Sequence, residues 1–155
     1  MITRHMTSRY VTQAAGRAAA LVFALIVVAT VVPARAEEMI GTWLTQDKDA
    51  HIRVARCGKA MCGNVVWLRD PIDAKTGQPP VDSKNPNPSL RTRKMLGIRI
   101  FAMEQDNSGS FTGGIYNADD GQTYKGRLAP RGENELEVQG CAGALCGSET
   151  WTRVK

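Results

Sequence analysis

The stretch that decides the fold is residues 110–128, SFTGGIYNADDGQTYKGRL. Apolar and polar side chains alternate on both sides of Ala118-Asp119-Asp120-Gly121, a run of turn-forming residues. Alternation with a period of two indicates strands with one buried face, and an Asp-Gly turn between two such runs is typical of a β-hairpin. These residues therefore predict two antiparallel strands joined by a tight turn.

The same pattern recurs along most of the chain. Short runs of alternating apolar residues, separated by turn-forming clusters, predict eight strands: 40–45, 51–57, 62–68, 98–104, 110–117, 122–128, 135–141 and 146–154. Short strands at near-regular spacing indicate an all-β domain, either a small antiparallel barrel or a sandwich. No pattern of a long amphipathic helix competes with this interpretation.

One connection, residues 69–95 between the third and fourth strands, is far longer than a hairpin loop. It holds five of the seven prolines of the chain. A connection of this length predicts a binding loop or a mobile flap. Its last part predicts a short helix near residues 88–95, with Asn87 as N-cap, Pro88 at the first helical position and Gly97 just past the end.

The first 36 residues have the pattern of a signal peptide. Basic residues precede an apolar run at 18–32, and Ala34-Arg35-Ala36 forms a small-x-small cleavage site before Glu37. We predict cleavage before Glu37, a periplasmic or secreted location, and one domain over residues 37–155. The alternative is an uncleaved membrane anchor, which needs about 18 or more consecutive apolar residues.

The leader also accounts for the basic charge of the chain. All four of its charged residues are arginines, so removing them from the 20 Lys and Arg leaves 16 basic against 15 acidic residues. The net charge then falls from +5 to +1. A strongly basic chain would suggest nucleic acid or anionic lipid as a partner, and the mature segment gives no such indication.

Four cysteines form two similar clusters, Cys57-Gly-Lys-Ala-Met-Cys62 and Cys141-Ala-Gly-Ala-Leu-Cys146. In an exported chain they predict two disulfides. We favour the local pairs Cys57–Cys62 and Cys141–Cys146, because residues opposed in a hairpin lie within reach of a disulfide. Pairing between the clusters would close a longer loop and stabilise the fold more. A four-thiolate zinc site is a further alternative, and free or redox-active thiols are another.

The inventory for catalysis is small. His51 is the single histidine of residues 37–155, and the chain has no Gly-x-Ser-x-Gly elbow, His-Glu-x-x-His helix or phosphate-binding loop. We therefore predict no enzymatic activity, no cofactor and no metal site.

Two groups of residues are candidates for ligand binding. In the long loop, Arg91 and Arg93, with Asp82 and Asn85 nearby, have the chemistry to hold a carboxylate or phosphate. The alternative is a solvated loop whose arginines bond its own carbonyls and Asp82. Among the aromatic residues of the predicted strands, the candidates are Trp43, Tyr116 and Tyr124, although such positions more often belong to a packed core.

Several motifs occur in one order along the chain: GTW (41–43), RCG..MCGNVVWL (56–68), D..NPNPSLRTRKMLG (82–97), GGIYNADDGQTY (113–124) and GC....C....WTRV (140–154). In these motifs the sequence resembles the bacterial exported family known as domain of unknown function 2147. The resemblance implies an eight-stranded lipocalin-like barrel and no established activity. Gly41-Thr42-Trp43 also resembles the Gly-x-Trp signature of lipocalins, which implies that Arg153 packs over Trp43.

We consider two functions. The first is a periplasmic, non-catalytic module that binds a small anionic or apolar ligand inside the barrel, beneath the long loop. The second is a structural or protein-interaction component of the cell envelope whose barrel is filled by its own side chains. The expected partners are accordingly a small molecule or an envelope protein, without nucleic acid and without stable membrane insertion. An internal cavity lined by Trp43, Phe101 or Tyr124 would favour the first function.

Overall fold

The computed structural model describes residues 34–155. Most of the predicted signal peptide, residues 1–33, lies outside the described residues. Between residues 34 and 155, no helix is long and apolar enough to cross a membrane.

Eight antiparallel strands close into a barrel in which each strand pairs with its neighbours in sequence and β8 pairs with β1. The strands are β1 (Gly41–Leu44), β2 (Ala50–Cys57), β3 (Ala60–Leu68), β4 (Arg99–Gln105), β5 (Phe111–Asn117), β6 (Gln122–Pro130), β7 (Glu135–Ala142) and β8 (Leu145–Arg153). The six-residue helix α1 (Ala34–Met39) precedes β1. All eight predicted strands are confirmed, with ends that differ by one or two residues.

The hairpin of β5 and β6 has the predicted turn. Ile115 faces Tyr124 across the ladder, and Asn117 faces Gln122 at the turn. Gly121 has φ +74°, a conformation that favours glycine, and an added Cβ there would collide with the carbonyl oxygen of Lys84 in the long loop. The glycine therefore serves both the turn and the close approach of the loop.

Residues before β1 cover one end of the barrel, which we call the closed end. Trp43 is fully buried there, and its Nε1–H donates to the carbonyl of Met39 at 2.9 Å. The guanidinium carbon of Arg153 lies 4.2 Å from the centroid of the Trp43 ring, as the resemblance to lipocalins implies. Arg153 Nη1 also donates to the carbonyl of Ile40 at 2.9 Å, so one side chain ties the end of β8 to the segment before β1.

Large side chains fill the half of the barrel next to the closed end. Phe101, Met61 and Met103 are buried. A Cβ added at Gly63 would lie 2.3 Å from the Phe101 ring, so the glycine leaves the space that this ring occupies. This half is a packed core.

Both predicted disulfides, Cys57–Cys62 and Cys141–Cys146, are present, and residues 34–155 contain no free cysteine. Cys141 lies directly opposite Cys146 in the β7–β8 ladder, as expected for a hairpin. Cys57 and Cys62 are diagonal instead, because Cys57 pairs with Ala60 and Ala55 pairs with Cys62. Both bonds hold the ends of neighbouring strands together.

The long connection between β3 and β4 spans residues 69–98. Its predicted helix is shorter than expected, a single 3₁₀ turn at Pro88–Leu90, with the side chain of Asn87 accepting from the backbone N–H of Ser89 as the predicted N-cap. The helix does not continue to residue 95 because the backbone there pairs with an earlier part of the loop. The Asp82 N–H donates to the carbonyl of Arg93 at 3.0 Å, and Val81 and Lys94 form an isolated antiparallel β-bridge.

Candidate functional site

The barrel interior opens, at the end opposite α1, into a cavity of about 1230 Å³. The loops around this opening are residues 45–49, 69–98, 118–121 and 143–144. We call this space the mouth cavity. It is the feature expected of a barrel that holds a ligand, since eight strands leave room for side chains or for one small molecule.

Apolar side chains from inward-facing strand positions form the deeper wall of the mouth cavity. They come from five strands: Ile52, Val65, Ile115, Val138 and Trp151. The first two face each other across β2 and β3. Because these positions alternate with outward-facing polar residues, the same period-two pattern that builds the strands also builds this apolar wall.

Four glycines follow one another across β5 to β8 as cross-strand partners: Gly113, Gly126, Gly140 and Gly147. Added Cβ atoms at the first two would clash with Met103 or its strand, the nearest atom to Gly126 being Met103 Cε at 2.4 Å. At Gly140 the nearest atom would be 3.5 Å away, and at Gly147 none lies within 4 Å. The first two glycines of the row therefore lie against the packed core, whereas Gly147 borders unfilled space.

Glu149 occupies the inward position on β8 between Gly147 and Trp151 and lines the mouth cavity. The Trp151 Nε1–H donates to Glu149 Oε2 at 2.9 Å. Because the indole N–H can only donate, it holds the Oε2 atom of Glu149 as its acceptor and so fixes the orientation of the carboxylate. Our sequence analysis missed Glu149, although its spacing of two from Trp151 on a predicted strand places both on the same face.

Four of the predicted site residues, Asp82, Asn85, Arg93 and Tyr116, form one hydrogen-bonded group that we call the loop anchor. Asp82 is buried, accepts from the Tyr116 hydroxyl at 2.5 Å and from Asn85 Nδ2 at 2.8 Å, and pairs with Arg93 at 2.8 Å. Since Tyr116 is on β5 and the other three are in the loop, the group holds the loop to the barrel.

Burial alone raises the pKa of Asp82. Hydrogen bonds from Tyr116, Asn85 and Arg93, with the positive charge of Arg93, outweigh it and lower the pKa below the ordinary value. Burial raises the pKa of Tyr116, and the hydrogen bond that its hydroxyl donates to the Asp82 carboxylate raises it further. The anchor is therefore an ionised aspartate with a neutral tyrosine at neutral pH.

The remaining predicted residues are in different places. Arg91 Nε donates to the carbonyl of Asn85 at 2.8 Å, and neither Arg91 nor Arg93 lines the mouth cavity. Trp43 is at the closed end. Tyr116 and Tyr124 do line the cavity, and the Tyr124 hydroxyl donates to Asp120 Oδ2 at 2.6 Å. The arginines thus bond the loop itself, as in the second interpretation of the sequence.

Comparison with known proteins supports the architecture. The structure is similar to that of protein HP1028 from the human pathogen Helicobacter pylori, described as belonging to the lipocalin family, with 26% identity and a TM-score of 0.63. The match covers 75% of this chain and 82% of that one. No curated protein matches the sequence. Residues 41–153 match the family described as an uncharacterized protein conserved in bacteria (DUF2147), and the chain belongs to that family.

Proposed function

We propose that this protein is a non-catalytic binding module that holds one small, largely apolar ligand in the mouth cavity. The observation that supports the proposal is the contrast between the two halves of the barrel. Phe101 and Met103 fill the half near the closed end, whereas a Cβ at Gly147 would meet no atom within 4 Å. A cavity with apolar walls and a few polar groups is the usual form of a small-molecule site.

The size of the cavity also favours a ligand. Small-molecule sites commonly have volumes of about 300 to 1,000 Å³. The mouth cavity, at about 1230 Å³, is therefore large enough to hold such a molecule. An apolar molecule placed against Ile52, Val65 and Val138 would be removed from water, which is the main favourable term in binding of this kind. The lipocalin description of the structural neighbour supports the same function.

The long loop has a defined part in this proposal. It contributes Pro80, Val81 and Met95 to the lining of the cavity, and the loop anchor holds it to β5. Because Asp82 is bonded to Tyr116 directly behind these lining residues, the anchor keeps one wall of the cavity in place. Replacing Asp82, which does not itself line the cavity, should therefore weaken binding without removing a group that touches the ligand.

The alternative is a structural or interaction component of the envelope. It requires a barrel filled by its own side chains, and the structure offers that arrangement only in the closed half. Exposed large apolar side chains favour a surface role: Val66 and Trp67 on β3, Ile72, Val81 and Leu96 in the long loop, and Leu145 at the tip of the β7–β8 hairpin. We favour the cavity because its apolar wall involves five strands, and because three of these exposed side chains, Ile72, Val81 and Leu145, line the cavity itself.

We also propose that the protein works in the periplasm or outside the cell after cleavage before Glu37. The basic and apolar segments of residues 1–36 support export. The two disulfides support it as well, because such bonds persist in oxidising compartments. Intact-mass measurement of protein recovered from the host should give a chain that begins at Glu37 and carries no free thiol. A mass that includes residues 1–36 would contradict this.

The binding proposal is tested with N-phenyl-1-naphthylamine, a neutral apolar probe whose fluorescence rises in an apolar site. The wild-type protein should bind it saturably. Gly147→Trp, which places an indole in the open part of the cavity, should weaken binding by about tenfold or more.

Thr150→Trp is the matched control, since it adds the same indole at an exposed position of the same strand that does not line the cavity. Its affinity for the probe should stay within about twofold of the wild type. Circular dichroism of both variants would verify the fold. Absence of saturable binding by the wild type, or equal losses in both variants, would refute the proposal.

A further inference from the structure

We propose that the ligand of the mouth cavity carries a positive charge beside its apolar body, and that Glu149 is the residue that binds this charge. The inference rests on the proposed function, since it specifies the chemistry of the same cavity. It replaces the expectation of an anionic ligand, which depended on Arg91 and Arg93. Both arginines bond the loop and lie outside the cavity lining.

The first support is the position of the Glu149 carboxylate. One oxygen, Oε2, accepts from Trp151 at 2.9 Å, whereas Oε1 accepts no hydrogen bond from any residue in 34–155. Within the same range, no Lys or Arg lies within 4.0 Å of Glu149. The carboxylate is thus oriented by the indole, directed at the cavity, and free to accept a further charged donor.

The second support is the surrounding apolar wall. Val138 lies directly opposite Glu149 in the β7–β8 ladder, and Trp151 is the next inward residue toward the closed end. Glu149 itself is exposed, so its attraction for a charge becomes strong when a ligand covers the carboxylate and lowers the local dielectric constant. A ligand that fills the cavity would displace water and strengthen this effect.

The third support is the charge balance of the cavity lining. Six carboxylates line it, Asp47, Asp49, Asp70, Asp73, Asp119 and Glu149, against three basic residues, Arg69, Lys75 and Lys84. Groups of both signs are already bonded: Arg69 pairs with Asp70 at 3.3 Å, Lys84 donates to the carbonyl of Asp119, and Asp73 accepts from two N–H groups of its own loop. A cleft lined mainly by one sign of charge concentrates ions of the opposite sign.

These three features predict which molecules enter the cavity. An amine or quaternary ammonium with an apolar chain or ring would place its charge at Glu149 Oε1 and its apolar part against Ile52, Val65 and Ile115. A molecule with the same apolar part and a carboxylate head would place its negative charge beside Glu149. The two negative charges would repel each other, because no Lys or Arg of residues 34–155 forms an ion pair with Glu149. The site therefore discriminates by repulsion as well as by attraction.

The test compares three molecules that share a decyl chain and differ in their heads: decyltrimethylammonium, decanol and decanoate. Each displaces N-phenyl-1-naphthylamine from the purified protein at concentrations below its micelle threshold. For the wild type, decyltrimethylammonium should bind about tenfold or more tightly than decanoate, with decanol between them. The preference should decrease as salt is added, because salt screens the carboxylates that line the cavity.

Glu149→Gln is the decisive variant, since glutamine keeps an acceptor oxygen for Trp151 but lacks the charge. It should reduce the preference for the cation to about threefold or less while leaving the affinity for the neutral probe within about twofold. Glu135→Gln is the matched control, because it removes the same charge from an exposed position at the start of β7. That variant should keep the wild-type preference.

The outcomes separate the two proposals. If the neutral probe binds but decanoate competes as well as decyltrimethylammonium, the inference about charge is wrong and the proposed function stands. The same conclusion follows if Glu149→Gln retains the full preference. If the neutral probe does not bind saturably, the proposed function fails and the inference about Glu149 fails with it.

Discussion

Replacing Asp82 by alanine should cost this protein about 3 kcal/mol of stability. The Asp82 carboxylate is fully buried and joins three partners: the Tyr116 hydroxyl at 2.5 Å, Asn85 Nδ2 at 2.8 Å and the Arg93 guanidinium at 2.8 Å. Removing one member of a buried ion pair costs about 3 to 5 kcal/mol, because the other charge loses its partner. Arg93 keeps 35% of its side chain exposed, so water compensates it in part and the lower figure applies.

Urea denaturation followed by tryptophan fluorescence measures this loss. The control is Asp70→Ala, which removes a carboxylate from the exposed Arg69–Asp70 pair of the same loop and should cost at most about 1 kcal/mol. Adding Arg93→Ala to Asp82→Ala completes a double-mutant cycle, in which the two losses should be less than additive because the residues share one interaction. A loss below about 1 kcal/mol for Asp82→Ala would refute the assignment of the loop anchor.

Three further measurements test other parts of the structure. Because folding lowers the pKa of Asp82, the stability that its ionised carboxylate contributes is complete above the unfolded-state pKa of about 3.9 and is lost as pH falls through the lower folded-state pKa. In urea melts, the stability difference between wild type and Asp82→Asn should therefore shrink between about pH 6 and pH 2.5. A constant difference would contradict this. Gly63→Ala should cost about 1 to 3 kcal/mol of stability, because the added Cβ would collide with the Phe101 ring. Gly147→Ala should be neutral or slightly stabilising, because its Cβ would meet no atom within 4 Å. Equal effects in urea would show that the two halves of the barrel do not differ in packing. Arg153→Lys should lower stability by about 1 to 3 kcal/mol in thermal unfolding, since lysine lacks the planar group that contacts Trp43 and the carbonyl of Ile40. The same change at Arg127, which is exposed and donates to Ser110 Oγ, should have little effect.

The strands could be predicted from sequence because their signal is local. Alternating apolar residues and Asp-Gly or Asn-rich turns define β5 and β6 without any knowledge of their neighbours. The local disulfides follow from the same reasoning, since Cys141 and Cys146 border a hairpin turn. The helix expected at residues 88–95 ended after one turn because Arg93 and Met95 pair with an earlier part of the loop, and that pairing has no local signal.

The candidate site depended on register and on long-range contacts. Gly113, Gly126, Gly140 and Gly147 are separated by 7 to 14 residues in sequence, and only the strand register shows them to be consecutive partners. The two loop arginines were reasonable anion ligands by residue type. Whether they faced a ligand or their own loop depended on where Asp82 and the carbonyl of Asn85 came to lie. The spacing of two between Glu149 and Trp151 could have shown that both lie on the same face of β8. That Glu149 borders a cavity could be seen only in the structure.

A crystal structure of the protein with N-phenyl-1-naphthylamine would test the central claim most directly. We expect the probe inside the barrel mouth, with its aromatic rings against Val65, Ile115 and Gly147 and the loop anchor intact. A probe bound on the outer surface, for example at the exposed side chains of Val66 and Trp67, or a mouth cavity filled by rearranged side chains, would contradict the account.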